Sequence, residues 1–132
     1  MESITLPPEP SSVALARQFV RAHLDEHDVD IDVALLLTTE LVTNVVRHAR
    51  TSLDLVVRVE PTIRVEVHDG QAATEAFREL VARPPTNVAI SSAGGRGLGL
   101  VAAIATRFGL GDEPGSWDGK IVWFELDRRD NG

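Results

Sequence analysis

Cysteine and tyrosine are absent from these 132 residues, and lysine occurs once, as Lys120. Without cysteine there are no disulfides and no thiolate sites, which fits a cytoplasmic protein. Aromatic residues are scarce, with four Phe and two Trp, so the core must rest on Val, Leu, Ile and Ala. No stretch approaches about 18 apolar residues, so no transmembrane helix is expected. The start "MESITLPPEP" has neither a basic n-region nor an apolar h-region and does not read as a signal peptide. Long basic runs are also missing and the net charge is −7. Phosphate backbones and anionic membrane surfaces would therefore be repelled, and neither nucleic acid nor membrane is expected as a partner. The remaining composition, 43% hydrophobic and 25% charged, is that of an ordinary globular chain, read as one domain over residues 1–132.

Ser3–Leu6 reads as a short edge strand, because the prolines that follow end any ladder. "SSVALARQFVRAHLDEH" places Val13, Ala16, Phe19, Val20 and Leu24 at helical spacing, with Ser11 or Ser12 as the cap. "DVDID" breaks that helix and supplies acid to the start of the next, expected over about Ile31–Ala49. "SLDLVVRVE" and "TIRVEVHD" are strand-like around a turn at Glu60-Pro61-Thr62. Residues 70–94 lose the pattern apart from a short helix in "TEAFRELVA"; a connection of this length suits a functional lid. A helix, "LGLVAAIATRF", then opens out of a glycine run, and "GKIVWFELD" closes the chain as a strand paired near Phe108–Asp112. The expected fold is an α+β two-layer sandwich, with helices on one face of a mixed but mostly antiparallel sheet.

Three stretches could carry chemistry. In "TTELVTNVVRHAR", Glu40, Asn44 and Arg47 fall within about 60° of one another on a helix, with Val42, Val45 and Ala49 turned away. That stripe is either a solvated face or a set of ligands. In "AGGRGLGLVAAIA", Gly95, Gly97 and Gly99 precede or open a helix, where close backbone approach and unpaired N–H groups can cradle a phosphate. Neither a Walker A loop nor a dinucleotide fingerprint fits the spacing, and a flexible glycine-rich start is the plain alternative. Asp69 ends a strand in "VEVHDG" and could accept from an exocyclic amine, or simply make a turn. "HLDEH" matches the string of inverted zinc proteases at His23, Glu26 and His27, but it sits where a helix breaks and reads as a solvated helix end. "DVDID" fails as a calcium loop because Val33 stands at the glycine position and Thr39 at the closing glutamate.

Taken in order, "ELVTNVVRHA", "VEVHDG" and "GGRGLGLVAAIA" resemble the N, G1 and G2 boxes of the GHKL (Bergerat-fold) ATPases. A short chain with little beyond these boxes looks like the RsbW/SpoIIAB-like anti-sigma-factor serine/threonine kinases, particularly their actinobacterial versions. The resemblance implies ATP and Mg²⁺ as cofactors. It implies that Asn44 gives its amide oxygen to Mg²⁺, that Glu40 is the general base and that Asp69 reads the adenine amino group. The segment Gly95, Arg96, Gly97, Leu98, Gly99 and Leu100 would fold around the phosphates, with Arg47 and His48 approaching the nucleotide. The implied partners are a sigma factor and a STAS-domain antagonist phosphorylated on Ser or Thr, with a homodimer as the assembly. Two positions depart from the family pattern: Gln71 stands where D-x-G has its glycine, and Ile121 stands where relatives often have threonine, which removes a hydroxyl near the nucleotide. A binding module of the same fold that sequesters its partner without phosphotransfer is the alternative.

Overall fold

Alternation along the strands decides which way the sheet faces. In the strand β3 (Ile63–Asp69), Ile63, Val65, Val67 and Asp69 are buried on one side, while Arg64 and His68 on the other are half-exposed. The computed structural model describes residues 1–83, 96–111 and 119–129. Its other strands are β1 (Glu2–Leu6), β2 (Leu53–Arg58), β4 (Arg107–Gly111) and β5 (Lys120–Leu126). Together they form one five-stranded sheet in the order β1-β2-β3-β5-β4. All of its pairings are antiparallel, where the sequence reading allowed a mixed sheet. β1 is the edge strand that the following prolines require.

The helices are α1 (Ser11–Leu24), α2 (Ile31–Asn44), α3 (Glu75–Ala82) and α4 (Arg96–Ile104). Ala16, Val20 and Leu24 of α1 meet Leu37 and Leu41 of α2, and Leu98 and Val101 of α4 join them over the inner sheet residues Leu55, Val65 and Phe124. Each large side chain buried in this way contributes roughly 1.5–3 kcal/mol. None of these helices is long and apolar enough to cross a membrane.

Two helix starts illustrate how local chemistry sets the frame. Asp30 caps α2, its carboxylate accepting from the Val33 amide at 3.2 Å. α1 differs from expectation: Pro10 is its N-cap and no side chain caps it. Ser12 is instead buried, and its hydroxyl donates to the Pro7 carbonyl at 2.6 Å, tying the helix to the end of β1. α2 does not continue as an ordinary helix to Ala49. Val45–Ala49 forms a π-helical turn, closed by the Arg50 amide donating to the Val45 carbonyl at 2.7 Å, with Arg50 in the left-handed region at φ 57°.

The outer sheet face carries a network of charged side chains centred on Glu66. Glu66 accepts from Arg64 Nε at 2.8 Å, from Arg58 Nε at 3.2 Å and from His68 Nε2 at 2.8 Å. The His68 hydrogen bond, followed by the two arginine charges, holds the Glu66 carboxyl down at about 2 against the cost of burial. Beside it the Arg64 guanidinium stacks over Trp123 at 4.0 Å. Trp123 in turn lies over Gly109, where an added Cβ would come within 3.0 Å of its ring. That close approach is what a strand glycine allows.

Candidate functional site

The register between β3 and β5 places Asp69 directly opposite Lys120 on the helix-facing side, at the end of the sheet. Side chains so paired stand about 4.5–5.5 Å apart at Cβ. Lys120 Nζ reaches Asp69 Oδ2 at 2.9 Å, with the aspartate side chain 1% exposed and the lysine 9%. The other carboxylate oxygen, Oδ1, accepts from the Gln71 backbone N–H at 2.8 Å. Gln71 Oε1 stands 3.5 Å from Lys120 Nζ, and the ammonium lies 4.9 Å from the centre of the Phe77 ring. A buried pair of this kind persists only when further hydrogen bonds satisfy its lone pairs, as Gln71 does here.

This pair lies in the wall of a cavity of about 290 Å³. Leu41, Asn44, Val45 and His48 enclose it from α2 and the π turn, and Val67 and Val122 from the sheet. Ala72, Thr74, Ala76, Phe77 and Leu80 complete the lining. α3 lines the cavity and starts with its own cap, the Thr74 hydroxyl accepting from the Phe77 backbone N–H at 3.0 Å. Mostly apolar walls with a few convergent polar groups are what a small-molecule site looks like, and this volume is near the lower end of such sites, roughly 300–1,000 Å³. It suits a planar base better than a whole nucleotide. A carboxylate in its wall supplies an acceptor for an exocyclic amine, so the residues present fit an adenine.

The residues expected from sequence do not all meet. Asn44, His48 and Asp69 come together around the cavity. Glu40 is half-buried and Arg47 exposed, and neither lines it. At 100° per residue the cavity-facing arc of α2 runs through Asn44 and Leu41 to Val45, leaving Glu40 just beyond Asn44 on the outer side. Val45 therefore faces the cavity, not away from it, while Val42 is turned into the core. One turn before Glu40, Leu36 is an exposed side chain and Leu37 is fully buried. Gly95 and positions 84–94 of the expected lid lie outside the described residues. Arg96, Gly97, Leu98, Gly99 and Leu100 form the first part of α4, whose Leu98 is a core residue. His23 bonds the Phe19 carbonyl through Nδ1 at 2.8 Å.

The two departures from the family pattern change meaning in three dimensions. Ile121 pairs with His68 and Gly111 on the outer face of the sheet, because strand residues alternate. Its side chain lies away from the cavity, so no hydroxyl is missing from that wall; the cavity residue is its neighbour Lys120. Gln71 lines the pocket: its backbone N–H bonds Asp69, as a glycine's would, and its side-chain Oε1 adds a distant acceptor 3.5 Å from Lys120 Nζ. Lys120 and Phe77 were the contributors hidden from the motifs. The signal for Lys120 was present in "KIVWFEL", where it shares the inward period-two positions with Val122, Phe124 and Leu126.

No curated protein matches the sequence. The model of the histidine kinase-like ATPase domain matches residues 6–125, which take in every described element but the first residues of β1 and the end of β5. With the cavity and its aspartate in place, the conclusion is that the chain belongs to the histidine kinase-like ATPase domain family and is an ATP-binding protein.

Proposed function

We propose that the chain is an ATP-dependent serine/threonine protein kinase of the anti-sigma-factor type, acting on a STAS-domain antagonist and binding a sigma factor. The observation that carries the reading is the meeting of Asn44 from α2 with Asp69 from β3 in one cavity. ATP, when bound, supplies the γ-phosphoryl group. Asp69 accepts from the adenine amino group. Asn44 would hold Mg²⁺ through its amide oxygen, and the ion would supply charge neutralisation at the phosphates. Among the described residues no cluster of His, Asp or Glu could hold the ion without such help. The glycine-rich start of α4 offers backbone N–H groups to phosphate oxygens. Glu40, beside Asn44 and outside the cavity, takes the proton of the attacking serine or threonine hydroxyl as its oxygen bonds to phosphorus and the bond to ADP breaks.

The test is phosphate transfer from labelled ATP to a STAS-domain protein, with Glu40→Ala and Asn44→Ala alongside the wild type. Loss of transfer with retained ATP binding in Glu40→Ala, and a weakened magnesium dependence of binding in Asn44→Ala, are the expected results. Undiminished transfer in Glu40→Ala would remove the general-base role. A second reading is a partner-binding module of the same fold without phosphotransfer. That reading predicts binding of a sigma factor equally well with and without ATP, and no labelled product from the wild type.

A further inference from the structure

We infer that Lys120 reads the nucleotide base directly, donating to N1 of adenine while Asp69 accepts from the neighbouring amino group. This inference rests on the ATP reading of the cavity. A carboxylate alone can check only the amino group. Here it is joined at 2.9 Å by an ammonium, and both groups line the cavity. An acceptor beside a donor is the complement of the adenine edge, where the amino donor lies next to the N1 acceptor.

The lysine has donor capacity to spare. An ammonium carries three N–H groups. Asp69 takes one, and Gln71 Oε1 is a distant second partner at 3.5 Å. Among the described residues the remaining donor has only the face of Phe77, 4.9 Å away, in a site whose other walls are largely apolar. A neutralising partner for Asp69 would satisfy the carboxylate from any side. This one arrives from the facing strand into the cavity itself, because Asp69 and Lys120 are in register at the end of β3 and β5. Its long stem is 9% exposed, so Nζ has little freedom to turn elsewhere. Guanine would require the pair in the opposite order, the ammonium on O6 and the carboxylate on N1–H, and it would have no amino donor at the place Asp69 serves for adenine.

The experiment uses the wild-type protein, because Lys120 is its only lysine and its Nζ resonance in lysine-labelled protein is therefore unambiguous. ATP, 1-deaza-ATP (N1 replaced by C–H) and GTP are titrated with Mg²⁺, reading affinity by calorimetry and Nζ by NMR. The expected result is that ATP moves the Nζ signal and binds on the order of tenfold or more tightly than 1-deaza-ATP, the usual scale for a charge-assisted hydrogen bond. Equal affinities for ATP and 1-deaza-ATP, or equal Nζ shifts, overturn the role of Lys120 while leaving ATP binding intact. Tighter binding of GTP than of ATP overturns it in favour of guanine. No binding of any of the three overturns the ATP reading itself. A Lys120→Met variant, checked for folding, should lose the discrimination between ATP and 1-deaza-ATP; retained discrimination would assign the donor to another group.

Discussion

At the scale of single residues, two buried carboxylates with opposite settings define the two faces of the sheet. Asp69 faces the helices and a cavity, with one lysine partner. Glu66 faces outward and is held by a histidine and two arginines. Because its folded-state pKa is depressed from 4.5 to about 2, Glu66 contributes stability that is fully present above the unfolded value and is lost as pH falls from 4.5 through 2. The upper bound on that contribution is about 3 kcal/mol, reduced by solvent screening at Arg58, whose side chain is substantially exposed. Glu66→Gln should therefore be less stable than the wild type at neutral pH, with the difference shrinking as acid is added below pH 4.5. Urea unfolding at a series of pH values checks this, and a difference that stayed constant down to pH 2 would remove the account of Glu66.

At the scale of elements, the site depends on how α2 ends and where α3 lies. An ideal helix drawn from sequence groups Glu40, Asn44 and Arg47, but burial selects an arc displaced by about one side chain, so Leu41 and Val45 share the cavity with Asn44. The period of the pattern located the helix; it could not locate the arc, because apolar residues surround the first half of α2 on more than one side. The π turn had no sequence signal, since its register depends on an i→i−5 bond at Arg50. The inward lysine was legible in the alternation of β5, but the register against Asp69 was not, since it is set by pairing across strands 51 residues apart. α3 was legible as a short helix in "TEAFRELVA", while its place over the cavity follows from tertiary packing. Ala76 on α3 is exposed yet lines the cavity, so Ala76→Trp should fill it without removing any core contact. Its unfolding free energy should stay within the small range typical of surface changes, about 0.5 kcal/mol, while ATP affinity falls by at least about tenfold. Calorimetric titration and thermal unfolding together check this, and undiminished affinity would place the base elsewhere.

At the scale of the whole molecule, the ligand and the fold are linked. The cavity draws its walls from α2, the π turn, α3, β3 and β5, so a ligand there binds the folded chain and not the unfolded one. Mg·ATP at about 100 times its dissociation constant should then stabilise the protein by about 2.7 kcal/mol. For a domain of this size that is a rise in unfolding temperature of several degrees. The most direct test of the account is this thermal shift, measured for wild type and Ala76→Trp with Mg·ATP. The account predicts a rise of several degrees in the wild type and little or none in the variant. Equal shifts in both proteins, or no shift in a folded wild type, would contradict the assignment of this cavity as the adenine site.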